Sequence, residues 1–109
     1  MAPATSSIFA YDDARELFEK ALERIAEGGN GIKVRLDNRS AAVRLRHRMN
    51  KFRTQDRSAN AQVYPEEDPN HGASVYDKLQ LRIPPEGHPD EATLIIEKRS
   101  SEMYTVEDL

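Results

Sequence analysis

The sequence predicts an α+β fold in which two helices pack against one face of a three-stranded sheet, in the order α-β-α-β-β. Two segments place apolar residues at the 3.6-residue spacing of a helix, and three shorter segments alternate apolar and polar residues as strands do. The 109 residues suffice for one domain with a modest core. A two-layer sandwich is the simplest arrangement that buries both helical stripes against the sheet.

The first helix is predicted within "YDDARELFEKALERIAEGG", residues 11–29. Asp12 is placed to cap its start, and Gly28 and Gly29 supply the left-handed conformation that commonly ends a helix. Its apolar residues recur on one face, which predicts that this face is buried. These residues are Ala14, Leu17, Phe18, Ala21, Leu22 and Ile25.

Three strands are predicted, at residues 31–37, 75–84 and 92–100. The last two form a hairpin, because the segment between them, "PPEGHPDE", is rich in turn-forming Pro and Gly. If the first two strands are neighbours, their polar faces form a small basic patch. That patch would contain Lys33, Arg35, Gln80 and Arg82, with Tyr76 as its one aromatic residue.

The second helix is predicted at about residues 40–57, within "RSAAVRLRHRMNKFRTQDR". Ser40 or Asn38 can cap it. Its apolar residues lie on one face at helical spacing, which leaves the remaining faces to basic side chains. The apolar residues are Ala41, Ala42, Leu45, Met49 and Phe52.

The remaining segments are polar. We expect a flexible leader at residues 1–10, one domain at 11–100 with a mobile loop at 58–74, and a frayed acidic tail at 101–109. The sequence contains no Cys, no apolar run approaching the roughly 18 residues of a membrane span, and no secretory signal pattern. These observations favour a cytoplasmic protein without a membrane partner.

Charge is unevenly distributed along the chain. The net charge is −3, yet residues 33–57 contain nine basic and two acidic residues, whereas the flanking segments are acidic. A helix with cations on several faces can neutralise phosphates, so the sequence predicts a nucleic-acid-binding protein, with duplex DNA slightly favoured over RNA. The predicted contact residues are Arg44, Arg46, Arg48, Lys51, Arg53 and Arg57 on the helix, and Lys33 and Arg35 on the first strand.

Two other interpretations stay open for this basic helix. Its cations could be solvated or paired within the chain, with the first helix, with "PEED" at 65–68 or with the acidic tail. It could also dock an acidic protein surface, or a second copy of the chain, which would make the protein an adaptor or a small structural subunit. Salt-dependent binding to nucleic acid distinguishes the first hypothesis from these alternatives.

The sequence gives little support to catalysis, to a metal site or to a bound cofactor. "PEEDPNHG" combines carboxylates with His71, but its spacing matches no calcium loop. "EGGNG" lacks the Lys-Ser/Thr of a phosphate-binding loop, and a strand follows it where such a loop requires a helix. We therefore expect a protein that is not an enzyme and that has no metal or cofactor.

Overall fold

The helices and strands follow one another in the predicted order. The computed structural model describes residues 12–99, so the predictions for the leader and the tail lie outside the described residues. None of the helices in this part of the chain combines the length and apolar character needed to cross a membrane. The elements are α1 (Asp12–Ala26), β1 (Gly31–Arg35), α2 (Arg39–Val63), a 3-10 turn (Val75–Lys78), β2 (Leu79–Arg82) and β3 (Thr93–Lys98).

The three strands form one antiparallel sheet in the order β1-β3-β2. Val34 of β1 lies opposite Leu94 of β3, and Leu81 of β2 lies opposite Ile96 of β3. These side chains share the face of the sheet that packs against the helices. The predicted α+β sandwich and the hairpin of β2 and β3 are confirmed, but β1 and β2 are not neighbours because β3 lies between them.

The core lies between the sheet and the two helices. Three aromatic rings form its centre, with the rings of Phe18 and Tyr76 stacked at 4.9 Å between centroids and the ring of Phe52 5.6 Å from that of Tyr76. Met49 and Leu79 are fully buried beside them. The predicted helical stripes therefore form the core together with the apolar face of the sheet.

Two consecutive glycines end α1 as the sequence predicts. Gly28 adopts a φ of +99°, and its N–H donates to the carbonyl oxygen of Ile25 at 3.0 Å. The N–H of Gly29 donates to the carbonyl oxygen of Arg24 at 2.8 Å. This pair of bonds is the Schellman arrangement, which satisfies carbonyls that the end of the helix would leave without partners.

α2 is longer than predicted. Its cap is Asn38, whose side chain accepts from the N–H of Ala41 at 2.8 Å, and it continues to Val63. Residues 58–63, which we expected in a loop, are therefore helical. The extra turns are held because Asn60 is half-buried and its side-chain amide donates to the carbonyl of Ala73, in the segment that returns towards β2.

The predicted second strand begins too early, because residues 75–78 form a 3-10 turn. Ser74 and Asp77 make a reciprocal capping box at its start, in which each side chain accepts a backbone N–H of the turn. The turn directs Tyr76 into the core, where its side chain is only 6% exposed. The predicted place of Tyr76 on the polar face of the sheet is therefore wrong.

Candidate nucleic-acid interface

The face of α2 opposite the core is basic. We call Arg44, His47, Arg48 and Lys51 the outer basic face, since all four are exposed while Met49 between them is buried. Arg44 and Lys51 lie two turns apart, about 10 Å along the helix axis. Neither forms an ion pair with any residue from 12 to 99.

Arg48 is the member of the outer basic face that contacts α1. One of its guanidinium nitrogens donates to a carboxylate oxygen of Asp13 at 2.8 Å. Both side chains are largely exposed, at 44% and 58%. An exposed ion pair of this kind stabilises a protein by less than about 1 kcal/mol.

Arg53 does not lie on the exposed surface, so the prediction that it contacts nucleic acid there is wrong. Its side chain is buried, with 6% exposure. Nη1 donates to the carbonyl oxygens of Tyr76 and Leu79, at 3.0 and 2.7 Å, and Nη2 donates to the side chain of Asn50 at 3.0 Å. Arg53 therefore holds the 3-10 turn and the start of β2 against the middle of α2.

The surroundings of Arg53 are unfavourable for its charge. Burial lowers the pKa of its guanidinium most, and the nearby cations Arg57 and Arg99 lower it further. The ring of Phe18 lies 5.6 Å from the guanidinium carbon and offers a compensating cation–π contact. Its Nε is buried without a hydrogen-bond partner in this part of the structure. These contacts fit a structural role.

Arg57 is also committed to the 3-10 turn. Its guanidinium donates to the carboxylate of Asp77, from Nε at 2.8 Å and from Nη2. Burial raises the pKa of Asp77, but hydrogen bonds from Arg57 and from the backbone N–H of Ser74 outweigh this effect and hold the pKa below its usual range. Arg46 lies on the same side of α2 and is half-buried. The predicted contact residues are thus divided between an outer face and a structural flank.

Lys33 and Arg35 lie on the outer face of the sheet, away from the helices. The predicted basic patch does not form there, because β3 separates these residues from β2. Glu97 of β3 pairs with Arg82 at 2.8 Å, and the hydrogen bond from Arg82 lowers the pKa of Glu97. Arg35 approaches Asp90 at 3.6 Å. The two cations of β1 therefore do not extend the outer basic face of α2.

Two cations that we had not predicted as contacts lie on α2 or against it. Arg39, directly after the cap of α2, lines with Arg44 and Glu86 a surface depression of about 390 Å³ at the positive end of the helix. Arg15 of α1 lies over the ring of Phe52 at 5.5 Å. The position of Arg39 after a capping residue is a signal that sequence reasoning could have used, whereas that of Arg15 depends on how the helices pack.

The histidines of the two long loops take part in turns. Nδ1 of His71 lies 2.8 Å from the carbonyl oxygen of Tyr64, and Nδ1 of His88 accepts from the N–H of Asp90 at 3.0 Å. Between residues 12 and 99 no three His, Cys, Asp or Glu side chains are grouped where they could hold a metal ion.

Comparison with protein-family models, with curated proteins and with solved structures gives no match. Function is therefore inferred from the residues themselves. The outer basic face of α2 is the best-defined candidate, because it concentrates exposed cations on one rigid element.

Proposed function

We propose that this protein binds nucleic acid through the outer basic face of α2. The observation that carries the proposal is the exposure of Arg44 and Lys51 without an ion pair among the described residues. α2 contains one acidic residue, Asp56, and its carboxylate accepts from Ser74 Oγ at 2.6 Å on the side of the 3-10 turn. The outer basic face therefore has no carboxylate of its own helix.

The spacing of these cations suits a phosphate backbone. Phosphates follow one another every 3.4 Å of helix axis on each strand of duplex DNA. Three cations distributed over about 10 Å can therefore reach different phosphates, and counterion release then drives binding. His47 lies between them and is exposed, so it can add a hydrogen bond.

The aromatic residues favour a duplex over a single strand. Proteins that bind single strands stack bases on exposed aromatic rings. Of the four aromatic residues between positions 12 and 99, Phe18, Phe52 and Tyr76 are buried together in the core. Tyr64 is 36% exposed, but it follows the far end of α2, about 20 Å along the axis from Lys51. We therefore propose duplex DNA as the preferred ligand.

The proposed role requires no catalytic group and no cofactor. It also agrees with the cytoplasmic location that the Cys-free sequence favours. An adaptor that docks an acidic protein would use the same cations, so the experiment must separate the two functions.

The test measures binding of the full chain to a short DNA duplex, and to single-stranded DNA and RNA, by fluorescence anisotropy at several salt concentrations. With Arg44, Arg48 and Lys51 in contact, log K should fall with log salt with a slope of about −2.7. The double variant Arg44→Ala/Lys51→Ala should make the slope shallower by about 1.8.

The matched control is Lys20→Ala/Arg24→Ala on α1, which removes the same net charge from an exposed surface. It should bind as the unaltered protein does. Equal affinity and slope for the two double variants would contradict the proposal. Sedimentation at the same salt concentrations completes the test: salt-sensitive self-association without nucleic-acid binding would identify an adaptor.

A further inference from the structure

β1 is an edge strand whose outer side is open within residues 12–99. The sheet order places β3 on one side of β1 and no strand of the described chain on the other. Its ladder with β3 is bracketed by two hydrogen bonds of 2.9 Å, from the N–H of Lys98 to the carbonyl of Asn30 and from the N–H of Leu36 to the carbonyl of Ala92. Even-numbered residues therefore bond with β3.

The odd-numbered residues of β1 point their backbone groups away from β3, because hydrogen bonds alternate in an antiparallel ladder. These residues are Gly31, Lys33 and Arg35. No residue between positions 12 and 99 forms a backbone hydrogen bond with them outside the strand pairing. β1 thus offers three N–H and three C=O groups as a template for another strand.

The two faces of this edge differ in chemistry. Lys33 and Arg35 lie on the outer face, and Arg35 is 72% exposed even with Asp90 nearby. Ile32 and Val34 lie on the opposite face, where they contact the core but remain half-buried. A strand added at this edge would place one set of side chains beside cations and the alternate set beside apolar groups.

A second copy of the chain is a poor occupant of the edge. An antiparallel pair of two β1 strands centred on Lys33 places this residue opposite its own copy, and the register shifted by two residues towards Arg35 places it opposite Arg35 of that copy. Cations that lie directly opposite each other destabilise a sheet. The charges of β1 therefore disfavour pairing of two copies and favour an acidic strand.

We propose that the open edge of β1 binds an extended segment of another protein in which acidic and apolar residues alternate. The segment adds a fourth, antiparallel strand. Its acidic side chains lie beside Lys33 and Arg35, and its apolar side chains cover Ile32 and Val34. A shallow depression of about 210 Å³, lined by Gly31, Lys33 and Ile95 among others, gives the incoming side chains room beside β1.

The test uses a blocked synthetic peptide in which Glu and Val alternate, titrated against the isotope-labelled full chain by NMR. The critical variants are Lys33→Pro and Lys33→Ala, which remove the same charge. Only Lys33→Pro also removes the N–H that faces the open edge, and it leaves the hydrogen bonds between β1 and β3 in place. A second peptide, with Lys in place of Glu, tests the charge.

We expect the Glu-Val peptide to bind and to slow hydrogen exchange at the amides of Lys33 and Arg35. Lys33→Ala should weaken binding about two- to fivefold, and Lys33→Pro should weaken it at least about tenfold further. The Lys-Val peptide should not bind. Absence of binding by the Glu-Val peptide, equal affinities for the two variants, or equal binding of the two peptides would overturn the proposal.

A peptide N-methylated at its central Glu provides a test that does not depend on the folding of Lys33→Pro, because a Glu opposite Lys33 or Arg35 directs its N–H towards β1. Methylation blocks strand pairing and retains every side chain, so this peptide should bind at least about tenfold more weakly to the unaltered protein. Unchanged affinity would contradict the pairing of backbones. Binding of the Glu-Val peptide should persist in Arg44→Ala/Lys51→Ala, which keeps this site separate from the outer basic face of α2.

Discussion

Arg53 donates a hydrogen bond from Nη1 to the carbonyl oxygen of Leu79 at 2.7 Å, which joins the middle of α2 to the first residue of β2. The N–H of Arg99 bonds to the carbonyl of the preceding residue, Lys78, so the carbonyl of Leu79 points away from β3. Arg53 thus occupies an edge of the sheet, where Nη2 of Arg99 also approaches the carbonyl of Leu79, at the longer distance of 3.4 Å. It does so from inside the core, where its guanidinium also binds the carbonyl of Tyr76.

Replacing Arg53 should destabilise the protein strongly. Arg53→Met keeps much of the side-chain volume but removes the charged donor that the carbonyls of Tyr76 and Leu79 share. The carbonyl of Tyr76 then keeps the N–H of Leu79, and the carbonyl of Leu79 keeps the longer bond from Arg99 at 3.4 Å. The loss of these hydrogen bonds from a charged group should lower the free energy of unfolding by about 1.5–3 kcal/mol. Urea denaturation followed by circular dichroism measures this change.

The matched control for this prediction is Arg44→Met, on the same helix but exposed. It should change the free energy of unfolding by no more than about 0.5 kcal/mol. If both variants shift the urea midpoint equally, Arg53 has no structural role beyond that of an exposed arginine.

The burial of Arg53 shows what helical periodicity can and cannot predict. Periodicity correctly predicts that Met49 and Phe52 are buried, because their positions on α2 depend only on local geometry. Arg53 lies beside that stripe. Its burial depends on the 3-10 turn at Val75–Lys78, more than 20 residues away in sequence, which covers it and offers two carbonyls.

The order of the strands shows the same limit. Alternation predicts which residues of each strand face the core, but it carries no information about which strands are neighbours. One signal in the sequence does favour β3 as the central strand. Residues Thr93–Ile96 form a nearly continuous apolar run, which is typical of a strand covered on both faces, and all four are buried in the structure. With β3 in the centre of the sheet, Lys33 and Arg35 on β1 cannot lie beside Arg82 on β2.

Gly31 should not tolerate a side chain. It adopts a φ of +141°, and a Cβ added there would lie 2.0 Å from the carbonyl oxygen of Ile96, within the ladder between β1 and β3. Gly31→Ala must therefore break the ladder at this point or move β1. We expect it to lower the free energy of unfolding by about 3 kcal/mol or more, measured by thermal denaturation.

Gly72→Ala separates the effect of the contact from that of the backbone conformation. Gly72 also has a positive φ, of +68°, but a Cβ there would meet no atom within 4 Å. This variant should lose only about 1 kcal/mol, the cost of a left-handed conformation for alanine. Equal losses for Gly31→Ala and Gly72→Ala would show that the close approach to Ile96 is relieved easily.

Tyr76 should make stability depend on pH at alkaline values. Burial, together with the hydrogen bond from its hydroxyl to Glu19 at 2.9 Å, raises the pKa of Tyr76 to about 12 from an ordinary value of 10.0. The folded state thus favours the neutral phenol. Its contribution to stability is complete below pH 10 and is lost as the pH rises to about 12.

Absorbance of the phenolate, followed as the difference between the unaltered protein and Tyr76→Phe, measures this pKa directly. The difference titration should be centred near pH 12. Between pH 10 and 12, Tyr76→Phe should lose less stability than the unaltered protein. A difference titration centred near pH 10 would contradict the prediction.

Asp77 should contribute stability that disappears in acid. Its carboxylate accepts from the guanidinium of Arg57 and from the N–H of Ser74, and these bonds lower its pKa below the ordinary 3.8. The folded state therefore favours the ionised carboxylate. The stabilisation is complete above about pH 4 and is lost as the pH falls through the lowered pKa of the folded state. Asp77→Asn should remove it.

At neutral pH, Asp77→Asn should cost about 1–2 kcal/mol of unfolding free energy. This is the cost of replacing a charged acceptor for Arg57 and the N–H of Ser74 by a neutral amide, and it is small because both side chains of the pair with Arg57 are more than a third exposed. The cost should shrink as acid protonates the carboxylate of the unaltered protein, so the two stability curves should converge at low pH. The exposed Asp37→Asn is the control. Curves that stay parallel from pH 7 to pH 2 would show that Asp77 acts without its charge, through packing alone.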